Sequence, residues 1–176
     1  MAASGVIKHA HDAGAVVLKD GTGTPLTCTV RFDKADLKIS GVSAGGREVT
    51  VYESRGVIRS LRKGKVKTPT ISLSCMVADL SNDDAETVAD FLFKRFAYSA
   101  RISTTTAIGD ADTFSFTFTQ EGTTYGDSAD QTILVEDVGA WEWGFEEGEP
   151  NMFTITGTVY GDIDINGTAA YVAPRA

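Results

Sequence analysis

Cysteine and histidine are nearly absent from this chain. Cys28 and Cys75 are the two cysteines in 176 residues, and His9 and His11 are the two histidines. Two thiols cannot build a disulfide framework. Each lies in an alternating apolar and polar run, so buried free thiols are expected, with a single bridge between neighbouring strands as the alternative. A closed zinc site needs about four ligands on a rigid scaffold, and a Ser-His-Asp triad needs a histidine in a cleft. Two histidines in an N-terminal arm, followed by Asp12, supply neither. No apolar run approaches the roughly 18 residues of a membrane span, so no membrane association is expected. No basic region leads into an apolar stretch after Met1, so no signal peptide is expected. No glycine-rich phosphate loop is present. Positive charge is scarce as well, with 16 Lys and Arg against 24 Asp and Glu and a formal net charge of -8. That balance argues against a general nucleic-acid coat. An enzyme, a cofactor and a resident metal are therefore not expected.

The remaining composition is that of an ordinary globular domain, 42% hydrophobic and 23% charged. The length suits one domain able to bury a core without metal or disulfides. The expected division is an arm over 1–14, one β domain over 15–166 and a small-residue-rich tail over 167–176, loose or draped on a neighbour.

Charge is strongly polarised along the chain. Residues 1–68 carry 12 basic and 6 acidic side chains, whereas residues 69–176 carry 4 and 18. The basic concentration is Arg55, Arg59, Arg62, Lys63, Lys65 and Lys67. The acidic one includes Glu142, Glu146, Glu147 and Glu149, beginning near Glu136 and Asp137. Patches of opposite sign can orient one subunit on the next; they can also be solvated faces of one fold. The basic run lacks the interleaved aromatics that stack on bases, so a protein contact is favoured over a nucleic-acid site.

Hydrophobic periodicity is mostly of period two. Strands are expected at 15–19, 26–32, 37–42, 48–52 and 57–61, with a hairpin turn at Ser54-Arg55-Gly56 and a loop at Lys63-Gly64-Lys65. Further strands are expected at 70–77, 113–119, 131–138, 140–145 and 152–160. The segment 100–105 follows the helix, and Asp162 to Gly167 reads as strand and turn. The latter opens like a calcium loop, but Ala173 stands where the bidentate carboxylate belongs. One helix is announced at about 83–97, with Ser81 as N-cap, acidic residues in its first turn, and a buried stripe of Ala85, Val88, Ala89, Leu92 and Phe96. The resulting fold class is mainly β: an antiparallel sandwich or barrel with one flanking helix. Several strands have a Thr/Ser face, wet yet nearly neutral. Trp141 and Trp143 alternate on one strand and suit a core or interface position, or the aromatic platform of a glycan-binding module.

The order of these features resembles a known family. It comprises the run Thr68 to Cys75, the segment Ala78 to Ser81 leading into the helix, and the Phe114/Phe116/Phe118 strand. Glu121 to Asp127 and the strand Gly148 to Gly161 complete it. Together they resemble the tail tube (major tail) proteins of long-tailed bacteriophages. The resemblance implies a β-sandwich with one flanking helix that forms hexameric rings. Inner strands of the ring would join into one barrel, and the rings would stack into a hollow tube through which viral DNA is ejected without tight binding. It implies partners in further copies of the chain and in other tail proteins (tape measure, tail tip, terminator). It also implies a place in the virion tail after assembly in the bacterial host cytoplasm, and an extended loop that contacts neighbouring subunits. The alternatives are another tail or secretion-tube structural protein, and a carbohydrate-binding or adhesion β-sandwich.

Overall fold

The computed structural model describes residues 14–30, 37–42, 47–76, 87–105, 111–123, 128–148 and 151–173. Their strands are β1 (Gly14–Lys19), β2 (Thr27–Val30), β3 (Lys38–Ser40), β4 (Arg47–Ser54), β5 (Val57–Val66) and β6 (Thr70–Met76). After helix α1 (Val88–Phe93) come β7 (Phe114–Gln120), β8 (Gln131–Glu146), β9 (Met152–Val159), β10 (Ile163–Ile165) and β11 (Thr168–Tyr171). No helix among the described residues is long and apolar enough to cross a membrane.

Nine strands form one antiparallel sheet along the path β2-β1-β7-β8-β9-β6-β3, with β10 on β8 and β11 on β10. The path does not return on itself, so the sheet is mainly antiparallel β but not a closed barrel. Its two halves share one core: Val16, Leu18, Cys28, Phe114 and Phe116 from one side join Leu73, Cys75, Ile155 and Val159 from the other. Alternation explains which residues enter. In β6, Ile71, Leu73 and Cys75 are buried and the intervening residues are not, as period two requires. Each fully buried aliphatic of this kind contributes about 1.5–3 kcal/mol. The thiol of Cys75 is pushed up to about 12, first by burial and then by Cys28 nearby, so β2 and β6 meet across the core with neither cysteine in a disulfide.

The sixteen residues of β8 are one strand, where two were expected. Its first half pairs with β7 and β10, and its second with β9 alone among the described strands. Between them the backbone bends: Asp137 and Ala140 take φ of 50° and 46°, and the register shifts between Gly139 and Glu142. Gly139 is required there, because a Cβ would lie 2.9 Å from the Thr113 methyl and 3.2 Å from the Tyr160 ring. Bulges of this kind turn a strand from one sheet to another.

The helix is shorter than expected. Thr87 caps it, accepting from the Asp90 amide at 3.2 Å, and Lys94 ends it in the left-handed region at φ 55°. The Arg95 amide also donates to the Asp90 carbonyl, closing the terminus well before residue 97. Phe96 therefore lies in a separate 3-10 turn, Phe96–Tyr98, rather than on the helix. Of the expected stripe, Val88 and Leu92 are buried and Ala89 packs against the core, while Ala85 lies outside the described residues. Phe91 is fully buried edge-on against Tyr98 and Phe114, at 5.3 and 6.1 Å between centroids. Such pairs add about 0.5–1.5 kcal/mol each beyond burial.

Other expectations need correction. Residues 100–105 form no strand, because side chains claim their backbone: Asp20 accepts from the Ile102 amide, and the Thr105 amide donates to Thr113 Oγ1. Lys63-Gly64-Lys65 is not a loop but part of β5, with Lys63 opposite Val49. The stretch from Gly167 is no loose tail as far as Ala173. β11 pairs with β10, Tyr171 is buried, and the Ala173 amide donates to Asp162. His9 and His11 lie outside the described residues.

Asp20 organises the turn between β1 and β2. Its carboxylate accepts from the amides of Leu26, Thr22 and Ile102 and from the Thr22 hydroxyl. Burial raises its pKa, but these four hydrogen bonds together outweigh that and hold it below the ordinary 3.8.

Two stability experiments follow from this packing. Leu92→Ala should lower unfolding free energy by about 2–5 kcal/mol in denaturant titration, and an unchanged midpoint would remove α1 from the core. Asp20→Asn should cost about 1–3 kcal/mol at pH 7, since a donating NH2 replaces one of the two oxygens that accept from these part-buried amides. With its folded pKa depressed, Asp20 contributes fully above its unfolded value, near 3.8, and loses that contribution as pH falls through the folded value. The gap between wild type and variant should narrow in acid; a gap of equal size at pH 7 and below pH 3 would contradict this account.

Candidate functional site

The strands β4 and β5 form a sheet of their own, separate from the nine-stranded one. Every residue of β4 and all of β5 except Gly64 are exposed. Their turn is Arg55-Gly56, with φ of 53° and 75°, the two-residue geometry whose twist suits a hairpin. A residue in a strand rises about 3.3 Å, so ten residues of β5 give an arm roughly 30 Å long.

The expected basic residues lie on this arm. Arg55 is in the turn, and Arg59 lies at the register shift between the Tyr52–Ser60 and Glu53–Ile58 pairs. Arg62 is opposite Thr50, Lys63 opposite Val49, and Lys65 is near the base, with Lys67 just beyond β5. The Arg62 guanidinium sits 5.9 Å from the Tyr52 ring centroid. The expected acidic residues lie elsewhere: Glu142 and Glu146 on the second half of β8, opposite Thr156 and Met152, and Glu147 directly after it. All three are exposed, and Glu149 lies outside the described residues. Among the described residues no ion pair joins the basic and acidic groups within the chain.

The four-stranded half of the sheet, second half of β8 through β9 and β6 to β3, has two unlike faces. One carries the core residues. The other carries Ser72 and Ser74 of β6 with Thr154, Thr156 and Thr158 of β9, and Ser74 and Thr154 approach at 3.4 Å between hydroxyls. A groove across it is bounded by Lys38 on β3 and Glu142 on β8. Both outer strands are open, since no described strand pairs with the free edge of Ala140 to Glu146 or with that of β3.

The open edge of β8 is also aromatic. Trp143 and Phe145 pair with Ile155 and Phe153, which places them on the core side, yet the core ends before it covers them. Trp143 packs edge-on against Phe93 at 5.3 Å and Phe153 at 5.7 Å, and Trp141 against Phe93 at 5.9 Å. Phe93, Trp143 and Phe145 remain 43–48% exposed. Three large rings half-exposed together form a patch, where single exposed apolar residues would need no explanation.

Sequence reasoning found the charges of the arm but missed its aliphatic side chains. Val49 and Val51 alternate on β4, and Ile58 and Leu61 lie opposite Glu53 and Val51; all four are strongly exposed. The available signal was a strand pattern in a segment whose apolar side the core did not need. Trp141 and Trp143 were legible as an alternating pair, but Phe93 joins them through the fold.

No family model matches the chain, and no curated protein matches it. Among the solved structures that resemble it at low identity are two determined by cryo-EM. One is a chain of the anti-feeding prophage baseplate determined by cryo-EM, 12% identical with a TM-score of 0.48, over 95% of this chain and 98% of that one. The other comes from the cryo-EM structure of an extracellular contractile injection system's sheath/tube terminator in the extended state. It is 13% identical with a TM-score of 0.47, over 85% and 91% of the two chains. Similarity at this level leaves the functional reading to the surfaces described above.

Proposed function

We propose that this chain is a structural subunit of a phage-type tail, joining copies of itself into hexameric rings that stack as a hollow tube for DNA ejection. The observation that carries the reading is the open four-stranded sheet. Its Thr/Ser face is polar and almost neutral, and its two edges, free among the described strands, carry unlike charge, Lys38 at one and Glu142 and Glu146 at the other. Addition of a neighbouring copy's strand to such an open edge is heterologous, and a heterologous contact closes into a ring when its rotation closes. The six-fold number comes from the family resemblance. In this reading the Thr/Ser face of β6 and β9 lines the lumen, and the basic arm reaches the acidic region of a neighbour. Other tail proteins would meet the ends of the tube. The half-exposed Trp143 and Phe145 favour a second reading as a carbohydrate-binding module; glycan-array binding by a persistent monomer would select it.

Electron microscopy of concentrated protein should show rings or tubes of uniform width with an axial hole. A strict monomer that does not grow on tail-tip seeds would overturn the proposal. Exposed ion pairs contribute about 0–1 kcal/mol each and are screened by salt, so assembly should weaken with ionic strength more steeply than folding does. The combined variant Arg59→Glu, Arg62→Glu and Lys63→Glu should fold but no longer polymerise. Normal tubes from it would leave the basic run no role in assembly. A neutral wall in a chain of net charge -8 gives little counterion release, so DNA affinity should be weak. Tight, salt-sensitive binding of duplex DNA to the purified subunit would contradict the lumen assignment.

A further inference from the structure

The arm β4–β5 has two faces that its register separates. Val49, Val51 and Glu53 share one side with Lys63, Leu61 and Ile58, whereas Thr50 and Tyr52 share the other with Arg62 and Ser60. On the first side Val49 and Leu61 are 63% exposed and Ile58 59%. Four branched aliphatics on a hairpin that pairs with no other described strand are unusual, because a two-stranded ribbon alone is marginal in water and this stripe adds only unfavourable hydration. A surface that covers the stripe would hold the arm as well as bind it.

The open edge of β8 offers a match in three respects. Its core side presents Trp143, Phe145 and Phe93, an aromatic row of the same polarity as the aliphatic stripe. Its opposite side presents Glu142 and Glu146, while the opposite side of the arm presents Arg62. Between them lies a strand edge with no described partner, seven residues long against the eight and ten of the arm's strands. Period-two alternation makes these matches simultaneous: a strand of the arm laid along the edge sets aliphatics against rings and, on the other face, Arg62 beside the glutamates.

The geometry points to the aromatic edge of one copy as the seat for the Val49/Val51/Ile58/Leu61 face of the arm of a second copy. This inference rests on the self-assembly reading above and supplies the receiving surface for the arm. Charge complementarity alone would leave the arm free to meet any of several acidic surfaces. The added apolar match selects the edge where Glu142 and Glu146 border exposed rings.

Tryptophan emission tests it directly, since of the two tryptophans of the chain Trp143 lies in this row and Trp141 packs against its Phe93 ring. On assembly, emission should shift to the blue and acrylamide quenching should fall. Leu61→Asp, at an exposed position, should abolish both changes while leaving the melt of the dilute subunit unaltered. Val51→Asp is a second variant with the same expected loss, should the first fail to fold. Copies carrying Leu61→Cys, mixed with copies carrying Phe145→Cys and oxidised, should give a disulfide-linked pair, because Cys28 and Cys75 are buried. Rings or tubes with unchanged tryptophan quenching would overturn the seat and leave the assembly reading intact. So would a blue shift that survives both aspartate variants. Failure to assemble at any concentration would overturn both.

Discussion

The bend in β8 is the constraint on which the rest of the structure depends. It exists because Gly139 has no Cβ to collide with Thr113 and Tyr160, and because Asp137 and Ala140 accept left-handed backbone on either side. Asp137 is held there from outside the strand, accepting from the Thr104 hydroxyl while its own amide donates to Ser115. Before the bend β8 has strands on both edges and is enclosed by the core. After the bend it keeps only β9 among the described strands. One residue without a side chain thus divides β8 into a stretch paired on both edges and a stretch paired, among the described strands, on one.

That division separates stability from interaction. The core draws on both halves, and α1 seals it with Phe91 and Leu92. The cost falls at the margin, where Trp143 and Phe145 point toward the core side but lie beyond its cover. Exposed aromatics beside an unpaired strand edge are a hazard of uncontrolled association. Here Glu142 and Glu146 border that edge, so their charge repels like surfaces while admitting a basic one. The arm β4–β5 is such a basic surface. The proposed tube and the proposed seat are two consequences of the same open edge.

Among the described residues no group of three or more His, Cys, Asp or Glu could hold a metal. The acidic turns are occupied by their own backbone: Asp20 accepts from Leu26 and Ile102, Asp130 from Gly122, and Asp162 from Ala173. These carboxylates are structural because they saturate turn amides, and such saturation is the ordinary reason for Asp at those positions.

Local alternation made much of the fold legible. Ile71, Leu73 and Cys75, Phe114 and Phe116, and Phe153, Ile155 and Val159 could be read as inward because period two acts through nearest neighbours on one strand. The Arg55-Gly56 turn and the segregation of basic from acidic residues were equally plain. The helix end was not, because Lys94 adopts a left-handed backbone that composition does not announce. Nor was the continuity of β8, since Gly139 reads as a break and acts as a bend. Which apolar residues would be left uncovered was decided only by tertiary structure. Val49 and Leu73 look alike in a strand pattern, but one is exposed on the arm and the other is buried in the core. Sequence alone determined the strands, their inward faces and the polarity of charge, all of which are local properties. The open edge, the aromatic row across α1 and β8, and the isolation of the arm arise from where distant segments stop packing, and that boundary exists only in three dimensions.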